Sequence, residues 1–349
     1  MGRARKEQSS PPRATLLDVA RRAGVSRTTA SFVISGRTDM RISTEAQERV
    51  LHAVRELDYR PNLMARSLRT KHTRTIGLVS DTIATEPYAG EMIRGSLATA
   101  LLSEHLLFVG ETEGDATVEK RLVQDMLDRG VVGFLYASMY TRETRLPPAL
   151  RGLPLVLLNC VTPDRRVPAV LPDERAAGRT AARILLAAGH RNRIWLVGES
   201  PAGVYAGRER RLGIEDVLGR AQLSLAGTVD CLWWPEPSYA AVREFLVGGP
   251  PPSAIVCLND RVAFGAYQAL AEVGLTIPDD VSLLSFDDSD LASWLRPQLT
   301  SIAIPHFELG RRAVELLLSG PPAQGIHRVA MPLRERSSVG PPVVAAVTG

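Results

Sequence analysis

The sequence predicts an all-α N-terminal helix-turn-helix domain followed by an α/β body of two doubly wound parallel-sheet subdomains. Two patterns predict this fold: short helical stretches separated by a glycine precede residue 60, and apolar strands alternate with helices from Thr75 onward. The third observation is the charge. Residues 1–75 hold 16 basic and 7 acidic residues, a net of +9, whereas the remainder holds 26 and 31, a net of −5. A basic head on an acidic body is the asymmetry expected when the N-terminal part binds a polyanion.

The composition is that of an ordinary globular protein. The chain has 349 residues, 45% of them apolar and 23% charged, so we expect two or three domains. Its three cysteines, Cys160, Cys231 and Cys257, are far apart, which argues against a disulfide framework or a zinc site. The basic start "MGRARKEQSSPPRA" is not a signal peptide, and no stretch approaches the roughly 20 apolar residues of a membrane span. We therefore expect a cytoplasmic, soluble protein with no membrane partner.

The first two helices of the head are predicted from their ends. Thr15 with Asp18 three residues later makes a capping-box start, and Gly24 can adopt the positive φ that ends a helix. Ser26 can then cap a second helix, from Arg27 to about Ile34. Two short helices joined by a glycine turn are typical of a helix-turn-helix.

A third helix is expected from near Ser43 to Tyr59. Apolar residues at helical spacing would fill the core between the three helices: Leu16, Val19, Ala20, Ala23, Val25, Val50, Val54 and Leu57. The polar face of the second helix then remains free to meet DNA. A three-helix bundle without a DNA function could show the same spacing, but the basic charge of the head argues against that alternative.

The segment "TLLDVARRAGVSRTTASFVISG" resembles the head of the LacI-GalR family of bacterial regulators, and "LDYRPNLMARSLRTKHTRTIGLV" resembles the hinge that follows it. The likeness covers nearly everything after Ala14. It implies a disordered basic tail at 1–14, a helix-turn-helix domain at 15–60 and a hinge at 61–74. A two-lobed, periplasmic-binding-protein-like body would follow at 75–340. Its N-lobe is expected at about 75–172 and its C-lobe at about 173–300, with crossover segments from 300 onward.

The resemblance also implies the DNA contacts of the head. Arg27 and Thr28 would face base edges in the major groove, where an arginine favours guanine by about 1–3 kcal/mol. Four hydroxyl residues would position the phosphates: Thr15, Ser26, Thr29 and Ser31. Phe32 stands where the family commonly has arginine, so its role stays open between a thymine contact and inward packing.

In the hinge, the resemblance implies a short helix that forms on the operator. Asn62 is its expected cap, and Ala65 would allow the two hinge helices of a dimer to approach each other. Leu68 matches the leucine that enters the minor groove in the family, where an apolar wedge kinks the duplex. A helix of this length would be marginal without its partner and the DNA.

The body alternates buried strands with helices. The strands are expected in "TIGLV", "LLFVG", "VVGFLYA", "PLVLLN", "RIWLVGE", "SAIVCLN" and "VSLLSF". The helices are expected at 89–104, 115–130, 142–151, 174–189, 206–222, 238–247 and 261–273. Ligands of such sheets bind beyond the carboxyl ends of the strands, and the resemblance places an effector between the two lobes.

Polar residues follow several of these strands, and they are the candidate effector ligands: Asp81, Asn159, Asn259 and Asp287. The resemblance adds Arg210, from the family pattern R-x-x-G-[FYW], and Trp233 or else Trp234, either of which could stack on a sugar ring. Asn259 and Asp260 could instead cap the next helix. "PDERAAG" departs from the family pattern V-D-N-x-x-[AG]-G, because Glu174 replaces the asparagine. Glu86 and the pair Asn159-Cys160 are further departures, so a standard hexose does not follow from the pattern.

An enzymatic function lacks support in the sequence. The six histidines are scattered, and no H-E-x-x-H, G-x-x-x-x-G-K-[ST] or G-x-S-x-G motif occurs. We therefore expect no catalysis, no cofactor and no metal. A solute-binding protein without DNA function is the alternative class, but it would not need the basic head.

The sequence predicts a DNA-binding transcriptional regulator, expected to be a repressor, that acts as a homodimer on a palindromic operator. A small-molecule effector between the lobes would control it. A sugar or sugar derivative is the expected effector, and a nucleobase or another non-sugar ligand is the alternative.

Overall fold

The computed structural model describes residues 14–36, 42–59, 73–84, 89–164, 166–198, 204–320 and 323–343. The chain divides into two compact units, Met1–Thr73 and Arg74–Gly349, and each has its own hydrophobic core. Residues 1–13 of the expected basic tail lie outside the described residues, as do the hinge predictions for Asn62, Ala65 and Leu68 and the departure at Glu86.

The head contains three described helices, α1 (Leu16–Ala23), α2 (Arg27–Ile34) and α3 (Thr44–Glu56). The capping box that begins α1 is formed in both directions between Thr15 and Asp18, and Gly24 ends the helix with a φ of 65°. The three helices bury a small apolar cluster: Val19, Ala20, Ala23, Ala30, Val50 and Ala53. Arg49 of α3 donates from Nε to the carbonyl oxygen of Ala23 over 3.1 Å, which satisfies an acceptor at the end of α1.

The N-lobe of the body is a six-stranded parallel sheet in the order β11-β5-β4-β3-β1-β2. Its strands are β1 (Thr75–Ser80), β2 (Leu106–Glu111), β3 (Gly133–Glu143), β4 (Leu155–Val161), β5 (Ala169–Pro172) and, from much later in the chain, β11 (Ile326–Val329). One face packs against α4 (Gly90–Leu102) and α11 (His306–Leu318), and the other against α5 (Ala116–Asp128). The strands β1 and β4 are buried at every residue, as expected for parallel strands that are covered on both faces.

The C-lobe is a second six-stranded sheet in the order β12-β10-β9-β8-β6-β7, parallel except for β12. Its strands are β6 (Ile194–Val197), β7 (Gly227–Val229), β8 (Ala254–Cys257), β9 (Ser282–Asp287), β10 (Thr300–Ala303) and β12 (Leu333–Arg334). One face packs against α6 (Glu174–Ala187) and α7 (Tyr205–Arg220), and the other against α8 (Pro235–Val247) and α9 (Asp260–Glu272). A short helix, α10 (Asp290–Trp294), follows β9.

Three connections between the lobes lie within the described residues. They are the turn from β5 into α6, the turn from β10 into α11, and the segment from β11 into β12. They lie side by side, because Asp173 N donates to Val329 O over 2.9 Å and Ala303 N to Pro332 O over 2.8 Å. The segment after Thr300 therefore crosses twice, once into the N-lobe and once back.

One predicted helix is not formed, and one long helix, α11, lies where no helix was predicted. The expected helix at 142–151 is absent, since β3 continues to Glu143 and only a single 3₁₀ turn, Pro148–Leu150, follows. β3 pairs Ala137 with Leu158 and then Arg142 with Cys160, so residues 138–141 form a bulge opposite Asn159. The helical prediction was wrong because this polar segment gains its backbone partners from neighbouring strands, which sequence spacing does not reveal.

Candidate nucleic-acid interface and ligand cleft

The exposed start of α2 is the candidate nucleic-acid interface of the head. Ser26, Arg27 and Thr28 are exposed there, and no acidic residue occupies the first turn of α2. Backbone N–H groups at a helix start attract anions, and an arginine beside them adds charge and donors suited to phosphates or guanine. The geometry therefore presents Arg27 and Thr28 on an electropositive surface.

The predicted phosphate-contact residues of the head also have structural roles. The Thr15 hydroxyl donates to Asp18 Oδ2 over 2.6 Å, and this hydrogen bond lowers the pKa of Asp18 below its ordinary value. Ser26 Oγ accepts from Thr29 N over 3.0 Å and lies 2.8 Å from Thr29 Oγ1. Ser31 is half-buried in the middle of α2. Their phosphate contacts stay predictions, and the caps place the hydroxyls at helix starts where a phosphate could reach them.

In the N-lobe, Asp81 holds the bulge of β3 in place. Its Oδ1 accepts from Thr82 N over 2.8 Å and from Met139 N over 2.9 Å. Its Oδ2 pairs with Arg142 Nη2 at 2.8 Å, and the Arg142 guanidinium lies 5.3 Å from the ring centre of Tyr140. Asp81 therefore binds one backbone N–H of the bulge and the guanidinium of Arg142, and its own carboxylate is largely used in doing so.

Asn159 supports the same bulge from β4. Its Nδ2 donates to the carbonyl oxygens of Ser138 at 3.0 Å and Met139 at 3.1 Å, and its Oδ1 accepts from Thr141 Oγ1 over 2.6 Å. The residue is 2% exposed and has a φ of 57°, a left-handed conformation that asparagine tolerates. All of its amide atoms are thus committed to the protein.

A buried ion pair connects the bulge to the C-lobe. Arg210 Nε donates to Glu174 Oε2 over 2.7 Å and Nη2 donates to Glu174 Oε1 over 3.2 Å. Glu174 Oε1 also lies 3.3 Å from Thr141 Oγ1. Both charged side chains are 1% exposed, so the pair is shielded from water. The remaining donors of Arg210 point to Leu258 O and, at 3.6 Å, to Asp287 Oδ1.

Asp287 and Trp233 lie beside this ion pair. The Arg210 guanidinium is 4.6 Å from the ring centre of Phe286 and 5.7 Å from that of Trp233, whose Nε1 donates to Gly198 O. The side chain of Asp287 is 28% exposed, and its backbone φ is 107°. Burial raises the pKa of Asp287, and Arg210 only partly opposes that rise. A carboxyl group in this position can exchange hydrogen bonds with a polar ligand.

Asn259 and Asp260 have mainly structural contacts. Asn259 Oδ1 accepts from Val262 N over 2.7 Å, so Asn259 caps α9. Asp260 is 1% exposed and is bonded by the hydroxyls of three serines: Ser285, Ser289 and Ser301. The capping alternative therefore describes the contacts of Asn259, whereas Asp260 accepts hydrogen bonds from serines on β9, on β10 and after β9.

The structure thus brings most of the predicted effector residues into one network. Asn159, Arg210, Trp233 and Asp287 are linked through Thr141 and Glu174, whereas Asp81 reaches the network through the bulge and Asn259 caps a helix next to it. Sequence reasoning missed Thr141 and Arg142, because it ended the strand at Ala137 and assigned Arg142 to a helix. The departure at Glu174 was the one signal in the sequence that pointed to the ion pair.

Two family models match different parts of the chain. The model of bacterial regulatory proteins of the lacI family matches residues 15–62, and a periplasmic binding protein-like domain matches residues 175–339. Among the described helices, none is both long and apolar enough to cross a membrane. In the same part of the chain, no group of three or more His, Cys, Asp and Glu side chains could hold a metal ion.

Known proteins are similar along most of the chain. The ribose operon repressor of Haemophilus influenzae is 33% identical over 307 residues, which cover 87% of this chain and 91% of that protein. The sucrose operon repressor of Escherichia coli is 32% identical over 339 residues, covering 93% of this chain and 99% of that protein.

Solved structures show the same architecture. The lac repressor dimer bound to operator and the anti-inducer ONPF matches with a TM-score of 0.78 and 25% identity, covering 94% of this chain and 100% of that chain. The complex of the transcriptional regulator CelR with cellobiose matches with a TM-score of 0.65 and 27% identity, covering 93% and 100%. A regulator from Enterococcus faecium with bound ribose matches with a TM-score of 0.62 and 26% identity, covering 76% and 99%.

Proposed function

Because the chain belongs to the LacI family of bacterial regulatory proteins, we propose that it is a dimeric transcriptional repressor whose operator affinity is set by a carbohydrate between its two lobes. The predicted family and fold class are confirmed. The protein is a DNA-binding regulator, like the repressors to which it is similar. The residues that carry out each step, and the identity of the effector, belong to the proposal.

The observation that supports DNA binding most directly is the exposed, acid-free start of α2. Its free backbone N–H groups, the Ser26 cap and the exposed Arg27 and Thr28 form a surface that suits a polyanion. Phosphate contacts position such a helix, and Arg27 reads base edges from it. Affinity that depends on phosphate contacts falls with salt. The logarithm of the binding constant should decrease with the logarithm of the salt concentration, with a slope of about −0.9 for each phosphate neutralised.

A carbohydrate effector is supported by the chemistry of the cleft. Asp287 offers a partly exposed carboxyl group. Trp233 offers aromatic surface on the same side, beside Arg210, and Tyr140 offers it in the bulge of β3. Sugars combine hydroxyls that donate and accept with an apolar ring face, so carboxylates and aromatic rings are suitable partners. The similar repressors are named for ribose and sucrose, and two similar structures contain cellobiose and ribose.

The dimer surface is proposed from exposed apolar residues of the N-lobe. They lie on the end of α4 and on the edge strand β2: Leu97, Leu101, Leu102, Leu106, Phe108 and Val109. Contiguous apolar surface of this kind marks a protein interface, and a twofold dimer would cover it with the same surface of a second copy. The edge strand β2 would also be protected from other pairing.

The test is selection of operators from random DNA with the full-length protein, followed by anisotropy measurements with and without ribose, sucrose and cellobiose. We expect a palindromic consensus and a change in affinity of about 5- to 150-fold with an effective sugar, the usual range of allosteric coupling. The absence of a palindrome would contradict dimeric operator binding. Operator affinity that no sugar of a broader panel changes would contradict carbohydrate control.

A further inference from the structure

Arg210 is enclosed on every side by its own protein. Arg210 donates hydrogen bonds from Nε and Nη2 to the two carboxylate oxygens of Glu174 and from Nη1 to Leu258 O. Its Nη2 also lies 3.6 Å from Asp287 Oδ1. The rings of Phe286 and Trp233 cover the guanidinium plane. At 1% exposure, the guanidinium has no open edge for a ligand.

Glu174 occupies the place where an anionic ligand would bind Arg210. A guanidinium recognises a carboxylate or a phosphate by two parallel N–H···O contacts, and the side chain of Glu174 already makes this kind of contact. The N-lobe reaches the same carboxylate, because the Thr141 hydroxyl lies 3.3 Å from Glu174 Oε1 and shares its single proton between this oxygen and Asn159 Oδ1 at 2.6 Å. Glu174 is thus positioned by both lobes.

The surrounding charges reinforce this arrangement. Four carboxyl groups belong to the network or adjoin it: Asp81, Glu174, Asp260 and Asp287. The cations near them are Arg142, Arg210 and Arg261, of which Arg142 is paired with Asp81 and Arg261 lies 4.4 Å from the ring centre of Trp234. A second anion entering next to Glu174 would add repulsion in a shielded site, where Coulomb interactions are strong.

We propose that Glu174 is an internal counter-ion that fills the anion-binding side of Arg210 and makes the cleft selective for effectors without a phosphate or carboxylate. The inference rests on the proposed function, since it describes the effector class of the same cleft. Neutral polyhydroxyl ligands can bind in the cleft by hydrogen bonds to Asp287, whose side chain is partly exposed. Phosphorylated sugars and sugar acids are excluded, because they would have to displace a carboxylate that both lobes hold.

The experiment removes the charge of Glu174 and asks whether Arg210 becomes an anion site. Glu174→Asn, the residue of the family pattern, removes the charge and shortens the side chain so that it frees the Nε and Nη2 edge of Arg210, and Glu174→Ala is the second variant if the first does not fold. The probe is inorganic phosphate, titrated against chloride at equal ionic strength. All four tryptophans lie beyond residue 190, and Trp233 contacts Arg210, so tryptophan fluorescence reports on the body and not on the basic head.

Asp216→Asn is the matched control. Asp216 on α7 pairs with Arg175 at 2.9 Å and with Arg179 at 3.0 Å, so its removal takes one negative charge from the same two helices while leaving Glu174 and Arg210 intact. We expect saturable phosphate binding in the Glu174 variants that is at least about tenfold tighter than in the wild type or in Asp216→Asn, since a charge-assisted pair replaces a repulsive one.

Equal phosphate affinity in the folded Glu174 variants and Asp216→Asn would overturn the proposal. A saturable response of the wild type to phosphate or ribose 5-phosphate, abolished by Arg210→Met, would overturn it even if neither Glu174 variant folds. Loss of the proposed function has a different signature. In that case no sugar would change operator affinity, while the phosphate titrations of the Glu174 variants would still show the gain.

Discussion

Asn159 illustrates how a residue expected to touch a ligand can instead shape the site around it. It was predicted to follow the fourth strand but lies inside β4, two residues before the strand ends, and both amide atoms bind the bulge of β3. Asp81 does the same from β1. Position near a strand end was therefore predictable, because it follows from the alternation of strands and helices. The partner of each side chain was not, since the bulge depends on contacts between strands far apart in the sequence.

The role of Arg27 in base reading is the first prediction. Arg27→Ala should relax the base preference at one position of each half-site, with a loss of about 1–3 kcal/mol for the preferred base. Selection from random DNA with the variant measures this. Arg55→Ala, an exposed arginine at the end of α3, is the control and should leave the consensus unchanged. An unaltered consensus for Arg27→Ala would remove that residue from base reading.

The second prediction concerns the pH dependence of stability. His190 is fully buried, with Nε2 3.0 Å from Gly340 O, and burial lowers its pKa in the folded protein. The unfolded chain, with a histidine pKa of about 6.5, then binds the proton more readily. The free energy of unfolding should therefore fall as the pH is lowered from 7.5 to 5.5.

Urea unfolding of the wild type and of His190→Gln across this range measures the effect. The variant should be less stable at pH 7.5 but should lose less stability on acidification. His105→Gln, at the turn before β2, is the control and should keep the wild-type slope. An identical slope in His190→Gln would show that His190 does not supply the pH dependence.

At the scale of elements, the crossing of α6 and α7 determines where the buried ion pair can form. A Cβ atom added at Gly178 would come within 2.0 Å of Arg210 O, and one added at Gly213 within 2.1 Å of Arg175 O. The two helices therefore approach to backbone contact. This approach brings Glu174, at the start of α6, to Arg210 in the middle of α7.

The third prediction follows from this close crossing. Gly213→Ala should lower the free energy of unfolding by about 2 kcal/mol or more, because the added methyl group must push two packed backbones apart. Gly219→Ala on the same helix is the control. Nothing lies within 4 Å of its Cβ position, so alanine should raise stability by about 0.5–1 kcal/mol. Urea titration checks both, and equal effects would contradict the role of the crossing.

The elements also show what periodicity can and cannot predict. Most of the long helices and the strands β1, β4, β8 and β9 were predicted within a few residues, because their apolar spacing reflects burial on one or both faces, whereas the helix α11 was not predicted. Five strands of two to four residues were not singled out: β5, β7, β10, β11 and β12. The strands β6 and β8 are equally short, but they were predicted because they lie in the apolar segments "RIWLVGE" and "SAIVCLN". The helix expected at 142–151 failed because pairing across the sheet outweighed local preference.

At the scale of the whole molecule, the protein separates the reading of DNA from the binding of the effector. The head and the body have separate hydrophobic cores and opposite net charges. A ligand can then influence the head only by favouring one arrangement of the body over another. Such coupling needs a second body against which the change can act, and the partner subunit of a stable dimer provides it.

The fourth prediction tests the proposed dimer surface. Leu106→Asp, on the exposed edge strand β2, should place a charge in the interface and shift the protein from dimer to monomer in sedimentation experiments. Operator affinity should fall with it, because a monomer contacts one half-site only. Val247→Asp on α8, at 82% exposure, is the control and should stay dimeric. A dimeric Leu106→Asp would place the interface elsewhere.

The side-by-side connections between the lobes have a mechanical consequence. A single connection would leave the lobes free to rotate in any direction, but these connections are joined by the hydrogen bonds Asp173–Val329 and Ala303–Pro332, so we expect the lobes to rotate mainly about the line of the connections. A molecule bound between the lobes would then change one quantity, the angle between them. We therefore expect ligands of different size to hold the lobes at different angles, and so to change operator affinity by graded amounts.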